Sequence, residues 1–154
     1  MSNWRVLTVA SGLLAVTLAT SAVLATSAVL AASPIEDRQA AMKAIGKAME
    51  DLAKIAKNET KFDAATVKAD AQTIHDKLGI AKGLFPEGSD TGHKTRALAA
   101  IWKDRATFDA ALKQAEGASL AMTKVTSEDQ FMPAMNKLGG ACKNCHDKFR
   151  KPEQ

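Results

Sequence analysis

Near its C-terminal end the chain carries Phe131, Met135, Leu138, Cys142, Cys145 and Phe149, apolar side chains spaced three, four or seven residues apart. That spacing puts all six on one stripe of an α-helix, so the last element is a helix that buries one face. The stripe contains both cysteines of the chain, in the run Cys142-Lys143-Asn144-Cys145-His146. Two thiols on a buried seam, followed at once by an imidazole, constrain the fold strongly. Other elements must pack over that seam, and whatever they enclose has to suit sulfur and nitrogen.

The remaining elements also read as helices. Ser33-Pro34-Ile35-Glu36 is a helix start, with Ser33 as cap, Pro34 at the first helical position and Glu36 completing a capping box. A seven-residue repeat follows, Ile35, Met42, Met49 and Ala56 in one row and Arg38, Ile45 and Leu52 in the other, the seam of a helix in a bundle. Arg38 is the odd member, a charge at a seam position. A second helix is predicted from about Asp63 to Ile80, with Phe62, Val67, Ala71, Ile74 and Leu78 as its apolar face. GLFPEGSDTGHK, with three glycines and a proline, is the longest loop. A third helix starts at or slightly before Asp104 and runs to about Val125, lined by Ile101, Phe108, Leu112, Ala115 and Met122. Ser127-Glu128-Asp129-Gln130 is a capping signal for the fourth, in which Pro133 marks a later start or a mild kink. Alanine is abundant and no Val/Ile/Thr-rich alternation occurs in the body of the chain, which argues against strands. The fold class is all-α, an antiparallel four-helix bundle over residues 32–154.

The first residues differ from the rest. From Val6 to Ile35 there is no charged side chain, and ATSAVL occurs twice in succession, at 19–24 and 25–30. Residues 1–31 read as a secretory signal peptide cleaved after Ala31; the alternative is a retained membrane anchor. Removal of Arg5 with that segment lowers the net charge from +4 to +3. So small a balance, with no basic run interleaved with aromatics, excludes nucleic acid as a partner.

Cys-x-x-Cys-His is the attachment signature of a c-type haem. The spacing lets two thiols add to the two vinyl groups of one porphyrin while the adjacent His146 reaches the iron. Zinc is an alternative, but Cys142, Cys145 and His146 supply three ligands where a structural site wants four. A redox dithiol or a disulfide is another. The first lacks a βαβ context, and the second has poor geometry three residues apart on a helix. Gly139-Gly140 costs the helix about 1 kcal/mol per residue relative to Ala, which a flat ring pressed on the backbone would offset.

A haem motif at the C-terminal end of a helical chain resembles the class II c-type cytochromes, the family of cytochrome c′ and cytochrome c-556. RQAAMKAIGKAM, GLFPEGS, IWKDRATFDAA and GACKNCHDKFRKP carry the likeness, which covers residues 34–151. It implies one covalent haem c on Cys142 and Cys145, with His146 as an axial iron ligand toward solvent. In this family the residue four after the arginine of the first helix faces the other side of the iron. Here that residue is Met42, four after Arg38. The resemblance therefore implies Met42 as sixth ligand, a low-spin iron and the electron-carrying cytochrome c-556 branch. Branches with a non-ligating group there resemble five-coordinate cytochrome c′, which binds NO or CO. It implies for Arg38 a contact with a haem propionate, against the alternative of a surface arginine. Met49, Met122 and Met135 read as packing, and His75 and His93 as surface or loop residues.

The function expected is a periplasmic monohaem electron carrier rather than an enzyme, meeting other redox proteins transiently as a monomer or homodimer. A membrane is involved only if the N-terminal segment is retained. Lys137, Lys143, Lys148 and Lys151 stand near the haem motif, where they steer an acidic partner or simply solvate the last helix.

Overall fold

The computed structural model describes residues 33–152. The segment read as a signal peptide, 1–31, lies outside the described residues. Five helices follow in order: α1 (Pro34–Ala56), α2 (Ala64–Ala81), α3 (Ala100–Lys103), α4 (Arg105–Met122) and α5 (Glu128–Phe149). α1 packs on α2, α2 on α4, α4 on α5, and α5 returns to α1. The four long helices therefore close an antiparallel four-helix bundle, as the apolar periodicity predicts. Among the described residues there is no strand, only an isolated bridge between Ala97 and Arg150.

The predicted seams are buried, with one refinement. Ile35, Arg38, Ile45 and Leu52 of α1 are buried, while Met42, Met49 and Ala56 are half-buried. Leu52, Val67, Ile74, Met122 and Leu138 are fully inaccessible, each burial contributing about 1.5–3 kcal/mol or less. Phe62 meets Phe131 edge to face across the foot of the bundle, ring centroids 5.9 Å apart. There the chain leaves α1 through Asn58 at φ 59°, a left-handed position that asparagine tolerates better than most residues.

Local capping differs from the sequence reading in detail. Ser33 Oγ accepts from Ile35 N at 3.3 Å, so the cap forms, one residue short of the box geometry. At α5 the expected cap is absent: Ser127 makes no side-chain cap bond. Gln130 Oε1 instead accepts from Thr126 N at 3.0 Å, satisfying the donor one residue before the cap. Pro133 lies inside α5, which begins at Glu128, so the later start is not adopted. The third predicted helix is divided at Asp104 (φ −130°, ψ 64°), whose side chain accepts from Thr107 N and caps α4.

Between α2 and α3 runs the long loop, 82–99. Gly88 (φ +77°) and Gly92 (φ +96°) take its left-handed turns, conformations open to glycine at little cost. Side chains from α1, α3 and α4 pin the loop from outside. Trp102 Nε1 donates to Pro86 O at 2.8 Å, Arg105 Nη1 to Phe85 O at 2.8 Å, and Gln39 Nε2 to Lys94 O at 2.7 Å. Its far end joins the last helix, with Leu98 N donating to Phe149 O and Lys151 N to Arg96 O. The loop thereby closes one end of the bundle beside the Cys-x-x-Cys-His run.

Candidate cofactor site

At that end the helices diverge around a cavity of about 320 Å³. α1 contributes Arg38, Gln39 and Met42; α5 contributes Cys145, His146 and Phe149, and Arg150 follows just past its end. Phe85 from the loop, Ile101, Phe108 and Leu112 complete apolar walls. Phe108 organises these walls, stacking edge to face on Phe85 (4.8 Å) and Phe149 (5.3 Å). Four residues singled out from the sequence, Arg38, Met42, Cys145 and His146, thus border one space although more than a hundred positions separate the first pair from the second. Cys142, one turn earlier, is half-buried and packs against the hydrophobic core rather than lining the cavity.

Burial pushes both thiols up from their ordinary range, Cys145 also through its neighbour Cys142. Protonated, desolvated thiols are the opposite of an activated redox pair. Burial lowers the His146 imidazole, and the charges of Arg150 and Arg96 lower it further. The ring is therefore neutral at pH 7 and keeps a lone pair for a metal. Among the described residues no group of three or more His, Cys, Asp or Glu converges in metal-binding fashion. Such a gathering is what the zinc alternative would need. His75 Nδ1 lies 3.3 Å from Glu116 O, and His93 is exposed, 3.9 Å from Glu36; neither approaches the cavity.

Arg38 is 3% exposed, which rules out a surface arginine. Its Nη2 donates to Ser89 O at 2.6 Å and to Thr95 Oγ1 at 3.1 Å. Its Nη1 donates to Ser89 Oγ at 2.9 Å and to Leu84 O at 3.3 Å. The guanidinium also sits over the Phe85 ring, 4.9 Å from its centroid. All four acceptors are neutral, so none of these bonds cancels the charge of the guanidinium. Burial lowers its proton affinity and Asp90 partly restores it. These loop contacts of Arg38, through Ser89 and Thr95, carried no sequence signal. Nor did Gln39, Arg96 and Phe85, whose place at the cavity depends on how the loop folds back.

Apolar walls, a buried cation, a thiol and a neutral imidazole on one helix, and a thioether on another form a donor set that fits haem. The glycines are less telling. A Cβ built on Gly139 or Gly140 meets no heavy atom within 4 Å, so packing among the described residues does not require glycine there.

Comparison with known proteins agrees with haem as the cofactor. The family model described as Cytochrome C′ matches residues 33–150. The chain is 38% identical over 117 residues to cytochrome c′ of Rhodopseudomonas palustris, spanning 75% of this chain and 80% of that protein. It is 37% identical over 118 residues to cytochrome c-556 of Agrobacterium tumefaciens, spanning 75% and 95%. The solved structure of Rhodopseudomonas palustris cytochrome c′ superposes with a TM-score of 0.76 at 34% identity, covering 80% of this chain and all of that one.

Proposed function

The chain belongs to the cytochrome c′ family, and from that membership we propose that it is an exported electron carrier whose iron is ligated by His146 and Met42. Proteins of this family carry one covalent haem c, and so does this chain. When bound, that group exchanges single electrons between Fe(II) and Fe(III). Everything else is the work of side chains. Cys142 and Cys145 tether the porphyrin as thioethers. His146 offers a neutral nitrogen from α5. Met42 offers a soft thioether from α1, a donor that prefers the reduced metal and raises the potential. Phe85, Ile101, Phe108, Leu112 and Phe149 keep water out. Arg38 supplies a positive charge at the wall that complements a propionate. The observation that carries the reading is that Met42 borders the same cavity as Cys145 and His146.

A thioether from Met42 would close the remaining iron site to external ligands such as CO, which would suit electron transfer. Optical spectra of the purified protein, ferric and ferrous, with and without CO, test this beside Met42→Ala. Low-spin spectra indifferent to CO in the native protein, turning high-spin and CO-binding in the variant, are expected. A native protein that is already high-spin and takes CO would make Met42 a packing residue and the protein a gas binder. The apolar segment 1–31 is proposed to direct export to the periplasm, where transient redox partners meet the carrier. Mass spectrometry of the mature N-terminus checks cleavage after Ala31.

A further inference from the structure

The two helices that carry the proposed iron ligands touch each other least. α1 bears Met42 and α5 bears His146, and of the neighbouring pairs of long helices this one has the slightest contact. The cofactor cavity lies between them. Something other than helix packing must hold their separation there.

Segment 94–98 of the loop reaches from one to the other. At its first end it is fastened to α1. Gln39 Nε2 donates to Lys94 O at 2.7 Å, and Arg38 Nη2 donates to Thr95 Oγ1 at 3.1 Å. At its second end it is fastened to the residues that close and follow α5. Leu98 N donates to Phe149 O at 3.0 Å and Lys151 N to Arg96 O at 2.8 Å. Arg96 Nε and Nη2 donate to Lys151 O at 3.0 and 2.8 Å. Arg150 N in turn donates to His146 O at 3.0 Å, so this clamp acts on the turn that presents His146. Four residue steps span at most about 14 Å, which caps how far the two fastened ends can part. Thr95, Arg96 and Ala97 also line the cavity, so the segment runs beside the space whose width it limits.

We propose that residues 94–98 form a strap that keeps Met42 within reach of the iron, with Gln39 and Arg96 as positioning residues that fasten its two ends. This rests on the His146/Met42 reading and adds what holds the second ligand in place. Groups that orient a metal ligand without touching the metal change its affinity by about tenfold or more when removed.

Heating the ferric holoprotein tests it. Charge transfer between a thioether and ferric iron gives a long-wavelength absorption band that reports Met42 on the iron, while far-UV circular dichroism reports the bundle. Arg96→Leu should raise the fraction of released Met42 about tenfold below the melting range. The band is then lost at a lower temperature, while the circular dichroism transition moves much less. Gln39→Ala, at an exposed position with one neutral bond to lose, should raise that fraction about threefold. Arg96→Lys, which can still donate to Lys151 O but without the fork, should fall between Arg96→Leu and the native protein. Phe62→Ala, at the foot of the bundle, is the control. It loses the ring contact with Phe131 and should move both signals together. In Arg96→Leu, equal shifts of band and circular dichroism, or no shift in either, would overturn the strap and leave the ligation reading intact. A native protein without the band would sink the ligation reading and the strap with it.

Discussion

Replacing Arg38 by Met keeps the aliphatic stem and removes the guanidinium that holds the 82–99 loop. Four acceptors lose a donor: Leu84 O, Ser89 O, Ser89 Oγ and Thr95 Oγ1. The two hydroxyls keep other bonds, Ser89 Oγ to Pro86 O and Thr95 Oγ1 from Ala97 N. The two carbonyls are the main loss, at about 1–3 kcal/mol each for a buried acceptor left unpaired. Loss of the cation over Phe85 adds about 0.5–2 kcal/mol. Relief of the buried charge offsets part of this. The net expectation is about 3 kcal/mol, which for a helical domain of this size is roughly 10–15 °C in Tm. Far-UV circular dichroism of the holoprotein during heating measures it. Trypsin adds a local readout, since Lys94 lies in the loop that Arg38 and Gln39 hold, and cleavage there should accelerate. Arg38→Lys keeps the charge without the planar fork and should recover only part of the loss. If Arg38→Met melts within about 2 °C of the native protein and its loop resists trypsin equally, the latch reasoning is wrong.

Phe108→Ala should cost about 3–5 kcal/mol. Its ring packs against both Phe85 and Phe149, and the same variant should admit water to the cofactor cavity, seen as a shift of the haem absorption bands. Asp70 tests an electrostatic strain between α1 and α2. Its Oδ2 is buried with no hydrogen-bond partner, and burial, then Asp51, push its pKa up. The folded state therefore binds this proton more tightly than the unfolded chain. Stability from this group is greatest below its ordinary value and declines as pH rises from there through the raised one. Asp70→Asn should thus be more stable than the native protein at pH 7, by less than about 1 kcal/mol because the side chain is partly solvated. The advantage should disappear near pH 3 in urea titrations at the two pH values.

Helix identity is a local property, and the chain displays it openly. Apolar residues at three and four positions apart specify which face of each helix is buried, whatever lies opposite. The Cys142, Cys145 and His146 signature is legible for the same reason: it is contained in five consecutive residues. The proposed role of Met42 rests on the family likeness and its place at the cavity, because a methionine at a seam position is ordinarily packing. Capping was less readable. Gln130 serves Thr126 instead of Ser127, a choice among neighbouring donors that composition does not distinguish.

What only the tertiary structure decided is the wall of the site. Arg38 stood out as a charge on an apolar seam, but its partners lie 46 to 57 positions away in a loop without periodicity. Loops have no repeating hydrogen-bond pattern, so their contacts depend on where the helices deliver their ends. The same holds for the cavity beside His146. A helix places an imidazole on a face by its own geometry, but cavities exist only once α1, α4, α5 and the loop are assembled around it. Sequence spacing thus determined the bundle and the proposed attachment residues. Long-range packing decided which charges surround them.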